Sequence, residues 1–118
     1  PENVRKIIIK EENLFGKWND FIFHSKWSSK IDQGFFKAWV NGKLVYHFKG
    51  KTIGPKDAAI HQLGIYRGAA KSSGEANHVV YYDEIKTAQS CKGVKLKKLG
   101  YSCKDLESQK LEKIHTIK

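Results

Sequence analysis

Residues 59–68 place an amide, a bare backbone position and a phenol at alternate positions of one predicted strand. Because strand side chains alternate between two faces, Gln62, Gly64 and Tyr66 share one face, and Leu63 and Ile65 share the other. The Leu63 side is typical of a core, whereas the Tyr66 side leaves room for an extended ligand across the sheet. A plainer interpretation fits the same alternation: Tyr66 is an ordinary strand aromatic and Gly64 a bulge or bend.

A second predicted strand adds ionisable candidates. Trp18–Trp27 is rich in aromatic residues, lacks a helical stripe, and places His24 and Lys26 on one side. Tyrosine ordinarily titrates near a pKa of about 10, so Tyr66 needs positive charge nearby to act in proton transfer. Lys26 would supply that charge if its strand lies alongside. His24 is either a base or ligand contact, or an ordinary half-exposed strand histidine.

These candidates need a sheet to position them. The dipeptide Asn41-Gly42 lies between two strand-like runs, and it predicts a type I′ hairpin turn because both residues accept positive φ. Together with further short runs typical of strands, it predicts an all-β, antiparallel fold. The predicted strands, besides the two above, are Val4–Lys10, Phe35–Val40, Lys43–Phe48 and His78–Ile85.

The end of the chain differs in character. Residues 91–118 are rich in lysine, and we expect this tail to be partly flexible, with a short helix over Asp105–Ile114. Cys91 and Cys103 are the only cysteines, and they form either a disulfide in an exported protein or two free thiols. Their spacing lacks a zinc-ligand pattern, so no metal or other cofactor is expected.

The charge points to an anionic partner. The chain of 118 residues carries a net charge of +10, and only two of its 22 basic residues are arginines. Bidentate recognition of phosphates and bases favours arginine, whereas a lysine excess suits general attraction to polyanions, acidic polysaccharides included. A nucleic-acid partner is therefore not expected. No apolar run is long enough to span a membrane, and a membrane partner is not expected either.

Several segments, taken in order, resemble the C-terminal half of jelly-roll polysaccharide lyases of the heparin lyase I, glucuronan lyase and alginate lyase type. The resemblance covers roughly residues 15–90. The segments that carry it are Gly16-Lys17-Trp18-Asn19-Asp20, Lys26-Trp27-Ser28, Trp39-Val40-Asn41-Gly42-Lys43, Gln62-Leu63-Gly64-Ile65-Tyr66-Arg67 and Tyr81-Tyr82-Asp83-Glu84-Ile85.

The resemblance implies a concanavalin-like jelly roll, a β-sandwich of two curved antiparallel sheets, of which this chain forms an incomplete part. Residues 1–90 would be the C-terminal part of the lyase-like domain, and 91–118 its basic tail. It also implies that Tyr66 is the catalytic acid or base, and that Gln62 stands where the family usually has lysine. The family's catalytic glutamine and histidine would lie upstream of Pro1, in an N-terminal half or a partner chain, because we read the chain as a fragment or processed form.

The expected function is cleavage of a uronate-containing glycan by β-elimination, in an extracellular or periplasmic location. Tyr66 is the candidate catalytic residue, and the candidate substrate-binding residues are Gln62, Gly64, Lys26 and His24. The alternative is a non-catalytic glycan-binding or attachment module on the same fold. The two differ in whether a histidine on a neighbouring strand faces Tyr66.

Overall fold

The computed structural model describes residues 5–64 and 79–116, and its regular structure is mainly β. Four strands form one open sheet in chain order; the first three pair antiparallel, and the two-residue fourth strand pairs parallel to the third. The all-β, incomplete-sandwich class is thus confirmed. The elements are α1 (Glu11–Leu14), β1 (Phe21–Lys26), β2 (Phe35–Val40), β3 (Lys43–Lys49), two 3₁₀ turns (Lys92–Val94 and Leu96–Leu99), α2 (Cys103–Ser108) and β4 (His115–Thr116).

The hairpin of β2 and β3 turns where the sequence predicts it. Asn41 has a φ of 51° and Gly42 a φ of 84°, so both residues adopt the left-handed conformation of a type I′ turn. The Asn41 side chain also accepts a hydrogen bond from the backbone N–H of Asp20, at 2.9 Å. The turn is therefore tied to the start of β1.

A β-bulge interrupts the hairpin. Ala38 pairs with Tyr46, but the next residue, Trp39, pairs with Leu44, so Val45 is the extra residue on β3. A bulge shifts the alternation of the strand that contains it. Leu44 consequently lies on the Trp39 face of the sheet, whereas Tyr46 lies on the opposite face beside Ala38.

The C-terminal segment covers the turn end of the Trp39 face. Trp39 and Leu44 pack with Leu96 and Leu106 in one buried cluster, and the Trp39 indole donates a hydrogen bond to the backbone oxygen of Leu106, at 3.0 Å. Gln109 bonds the hairpin twice, accepting from the backbone N–H of Leu44 at 2.7 Å and donating to the oxygen of Gly42 at 2.8 Å. The described part of the tail is therefore a packed layer on the sheet.

A disulfide joins Cys91 to Cys103, whose Cα atoms are 6.0 Å apart, and it resolves the two alternatives for these cysteines. Helix α2 starts at Cys103, earlier than predicted, because Ser102 caps it by accepting a hydrogen bond from the N–H of Asp105, at 3.3 Å. It ends at Ser108, short of the predicted end at Ile114.

The opposite face of the sheet is partly open. Ala38, Tyr46 and Phe48 are buried there, but aromatic side chains of the first strand and its flank are not covered. Phe21 is 40% exposed, Phe23 51% and Trp27 50%. A β-sandwich buries the inner faces of both sheets, so the exposed aromatic part of this face is the part that an incomplete sandwich leaves uncovered.

Three predicted strands are not formed in the parts that the structure describes, which are 5–10, 59–64 and 79–85. The strand predicted over Trp18–Trp27 is also shorter than expected, at Phe21–Lys26. Leu63, expected in the core, is 50% exposed. The reason is that a strand needs a neighbour for its backbone hydrogen bonds, and the described segments offer none to these three runs.

We expect Gly42→Ala to destabilise the protein by about 1–3 kcal/mol, because a side chain at positive φ is strained. An added Cβ would also lie 2.8 Å from the Tyr101 ring. Gly16→Ala is the matched control, since Gly16 has a φ of 78° but no atom within 4 Å of the added Cβ. Urea unfolding of both variants checks the prediction, and an equal loss in the two would contradict the contribution of Tyr101.

We expect replacement of both cysteines, Cys91→Ser with Cys103→Ser, to lower the free energy of unfolding by about 3 kcal/mol. The disulfide closes a short loop, of sequence separation 12, and restricts the unfolded chain accordingly. Denaturant unfolding of the oxidised protein and the double variant measures the difference. Two titratable thiols in freshly isolated, unreduced protein would contradict the bond itself.

Candidate functional site

Cationic side chains gather on one face of the sheet, beyond the part that the tail covers. Strand pairing aligns His24, Lys37 and His47 in one row across β1, β2 and β3, and Lys26, Phe35 and Lys49 in the next row. Directly paired residues of antiparallel strands lie on the same face. We call these two rows, His24, Lys37, His47, Lys26, Phe35 and Lys49, the basic face.

A depression of about 580 Å³ opens on the basic face. One wall is the loop before β2, and the floor comes from β2 and β3. Its lining combines three cationic or imidazole groups with one carboxylate, that of Asp32, and one aromatic ring. The residues that line it are Ile31, Asp32, Gln33, Gly34, Phe35, Lys37, His47, Lys49 and Thr116.

One carboxylate from the tail reaches the basic face. The Glu107 Oε1 atom lies 2.6 Å from Nδ1 of His24, and its Oε2 atom lies 2.9 Å from Nζ of Lys37. Glu107 belongs to α2, whose Leu106 is buried beneath Trp39. The packing of the tail therefore determines where this carboxylate lies.

The environment shifts the pKa of two of these groups. Burial acts to raise the pKa of Glu107, but hydrogen bonds from Lys37 and His24, with their positive charges, outweigh it and hold the pKa below its usual value. Burial lowers the pKa of His47, and the charges of Lys37 and Lys49 lower it further, against an opposing effect of Glu107. At neutral pH the basic face therefore combines a carboxylate, lysine cations and an uncharged His47.

This arrangement suits contact with an anionic ligand. Lys26 and Lys49 form no ion pair with another residue in the described ranges, so their charges remain available to a ligand carboxylate. The Nδ1 atom of His24 is engaged by Glu107, which leaves Nε2 for a ligand or a proton. The Phe35 ring lies between the two lysines of its row and offers an apolar surface.

The five predicted site residues fall into three groups by position. His24 and Lys26 both lie on the basic face, as their shared side of β1 predicts. Gln62 and Gly64 are exposed and belong to no strand, so the described segments do not place them beside β1. Tyr66 lies outside the described residues. The roles of all five stay predictions.

Four residues of this site were not predicted from the sequence, and these are Lys37, His47, Lys49 and Glu107. A regular hairpin around Asn41-Gly42 would pair Lys37 with Tyr46, and only the bulge brings His47 opposite Lys37. Glu107 is separated from His24 by 83 positions, and no sequence signal links the two. Lysine content gave no hint either, because the only lysine of β2 is Lys37 and the only lysines of β3 are its first and last residues, Lys43 and Lys49.

Residues 5–64 and 79–116 contain no group of three His, Cys, Asp or Glu side chains arranged to hold a metal ion. In the same ranges no helix has the length and apolar character required to cross a bilayer.

Comparison with known proteins identifies the family. The family described as Polysaccharide lyase matches residues 10–86, well over half of the chain, and the chain belongs to that family. The match includes β1, β2 and β3 and ends before the disulfide-closed tail. No curated protein and no solved structure matches the sequence.

The charges around His47 generate a prediction on its titration. Glu107→Gln should lower the pKa of His47 further, because it removes the one nearby charge that raises it, and Lys49→Gln should raise it towards the ordinary 6.5. NMR titration of the His47 ring measures both, with the exposed Glu112→Gln as the control. An unchanged His47 pKa in Glu107→Gln would contradict the assigned electrostatics.

The same shift has a consequence for stability. Because the pKa of His47 is lower in the folded protein than the ordinary 6.5, the unfolded chain binds more protons below that pH. The contribution of His47 to the free energy of unfolding is therefore fully present above pH 6.5. It is lost as the pH falls towards the pKa that His47 has in the folded protein.

Proposed function

We propose that this chain is the polymer-contacting part of a polysaccharide lyase that cleaves uronate-containing glycans by β-elimination. Membership of the polysaccharide lyase family supports the reaction class. The observation that carries the substrate class is the basic face, where Lys26, Lys37 and Lys49 lie on one side of three paired strands. Several lysines on one face suit a polymer that bears a carboxylate on successive sugars.

Such a reaction divides into three tasks. A cation neutralises the uronate carboxylate, a base removes the proton on the carbon next to it, and an acid protonates the leaving glycosidic oxygen. The electrons of the broken carbon–hydrogen bond form a carbon–carbon double bond as the carbon–oxygen bond breaks. The product is an unsaturated uronate, which absorbs in the ultraviolet.

We assign these tasks as follows. Lysines of the basic face neutralise the carboxylate and hold the glycan, with Gln62 and Gly64 contacting neighbouring sugar units. Tyr66 transfers the proton, an assignment that rests on the resemblance of the strand around it to the family's signature. His24, whose Nε2 is not engaged by Glu107, is the second candidate for the base or for a substrate contact.

The setting of the protein is part of the proposal. The disulfide between Cys91 and Cys103 supports an extracellular or periplasmic location, since structural disulfides persist in oxidising compartments. The bare aromatic face formed by Phe21, Phe23 and Trp27 supports completion of the sandwich by a further sheet, from an N-terminal half or a partner chain.

The test is an ultraviolet assay on a panel of acidic polysaccharides. Tyr66→Phe keeps the ring but removes the proton-transfer group, so the turnover rate should fall by about a hundredfold or more. Tyr81→Phe is the matched control, because Tyr81 is exposed and has no assigned proton transfer. A fully active Tyr66→Phe variant would contradict the mechanism. Polymer binding without turnover, in the unmodified protein completed by its N-terminal half or partner chain, would favour the glycan-binding module instead.

A further inference from the structure

We propose that segment 91–104, which consists of the disulfide-closed residues 91–103 and the adjoining Lys104 and which we call the lysine loop, is a second binding surface for acidic polysaccharide, separate from the basic face. The inference takes its ligand class from the proposed function, but it requires binding only and no catalysis. The lysine loop lies outside the part of the chain that matches the family.

The lysine loop has an unbalanced charge. It carries five lysines and neither aspartate nor glutamate. All five are exposed, and none forms an ion pair with a residue in the described ranges. Like charges within one short segment repel one another and disfavour the compact state, so an anionic ligand would relieve this repulsion. The five are Lys92, Lys95, Lys97, Lys98 and Lys104.

The fold directs these lysines outward. The loop consists of two 3₁₀ turns joined at Lys95, which adopts the left-handed conformation with φ 51° and ψ 52°. Val94 and Leu96, on either side of it, pack against the buried cluster around Trp39. With the apolar side chains fixed inward and the ends joined by the disulfide, the lysines are held together on the outer surface.

The position of the loop suits a polymer. It packs over the row of Ile22, Trp39 and Leu44, which is the next row along the strands from His24, Lys37 and His47. Successive rows on one face are two residues apart, or about 7 Å along a strand. The lysine loop and the basic face therefore belong to the same side of the sheet, where one extended anionic chain can contact both.

The chemistry of the loop favours an acidic polysaccharide over a nucleic acid. It contains no arginine, the side chain best suited to bidentate phosphate contacts. Its single aromatic residue, Tyr101, is half-buried and donates a hydrogen bond to the Asp20 carboxylate, at 2.5 Å, which raises the pKa of Tyr101 to about 12. That ring is therefore engaged in the fold rather than free to stack on bases.

The experiment measures binding of fluorescein-labelled alginate by anisotropy at several salt concentrations. The test variant replaces Lys92, Lys97 and Lys98 with Gln; the matched control replaces Lys10, Lys17 and Lys56 with Gln, and these lysines are exposed too. Both lose the same charge, and melting curves verify that both fold. We expect the test variant to bind alginate roughly tenfold more weakly. The slope of log affinity against log salt concentration should be shallower by about two. The control should change much less.

The outcomes separate this inference from the proposed function. Equal losses in the two triple variants would overturn the lysine loop as a surface, whether or not the protein cleaves alginate. Displacement of alginate by a DNA oligomer of equal charge at lower concentration would overturn the ligand class. Weaker binding confined to the test variant would support the inference even in a protein without lyase activity.

Discussion

The β-bulge at Val45 is the constraint on which the arrangement of the sheet depends. Leu44 and Tyr46 are two positions apart and would share a face in a regular strand, yet the bulge sends them to opposite faces. One buried cluster forms on each side of the sheet as a result. The same shift turns His47 towards Lys37, so the site and the two clusters have one structural origin.

The C-terminal tail joins the stability of the hairpin to the chemistry of the basic face. Its helix α2 is held by the disulfide at Cys103 and by the burial of Leu106, and the next residue, Glu107, contacts His24 and Lys37. The tail therefore contributes a side chain to the face that the family-matched part forms. A packed helix is a precise way to position a single carboxylate, because its backbone has little freedom.

Positive charge on one side of the molecule is partly offset by a carboxylate near α2 and is not paired elsewhere on that side within the described residues. Near α2, Glu107 forms an ion pair with Lys37 and a hydrogen bond with His24, so one negative charge offsets part of the positive charge of the basic face. Lys26 and Lys49 on one side, and the lysine loop on the other, form no such pair within the described ranges. For a polymeric anion this pattern offers attraction over a length of surface rather than at one point.

The sequence by itself determined those features that depend on a few neighbouring residues. Asn41-Gly42 specified the hairpin because positive φ is a local property, the alternation of β1 placed His24 and Lys26 together, and short motifs indicated the family. The tertiary structure alone decided the bulge, because register reflects packing on both faces at once. It also decided that residues 59–64 and 79–85 form no strand, since a strand exists only beside a partner, and that Glu107 meets His24 across 83 positions, a contact that only the folding of the tail can create.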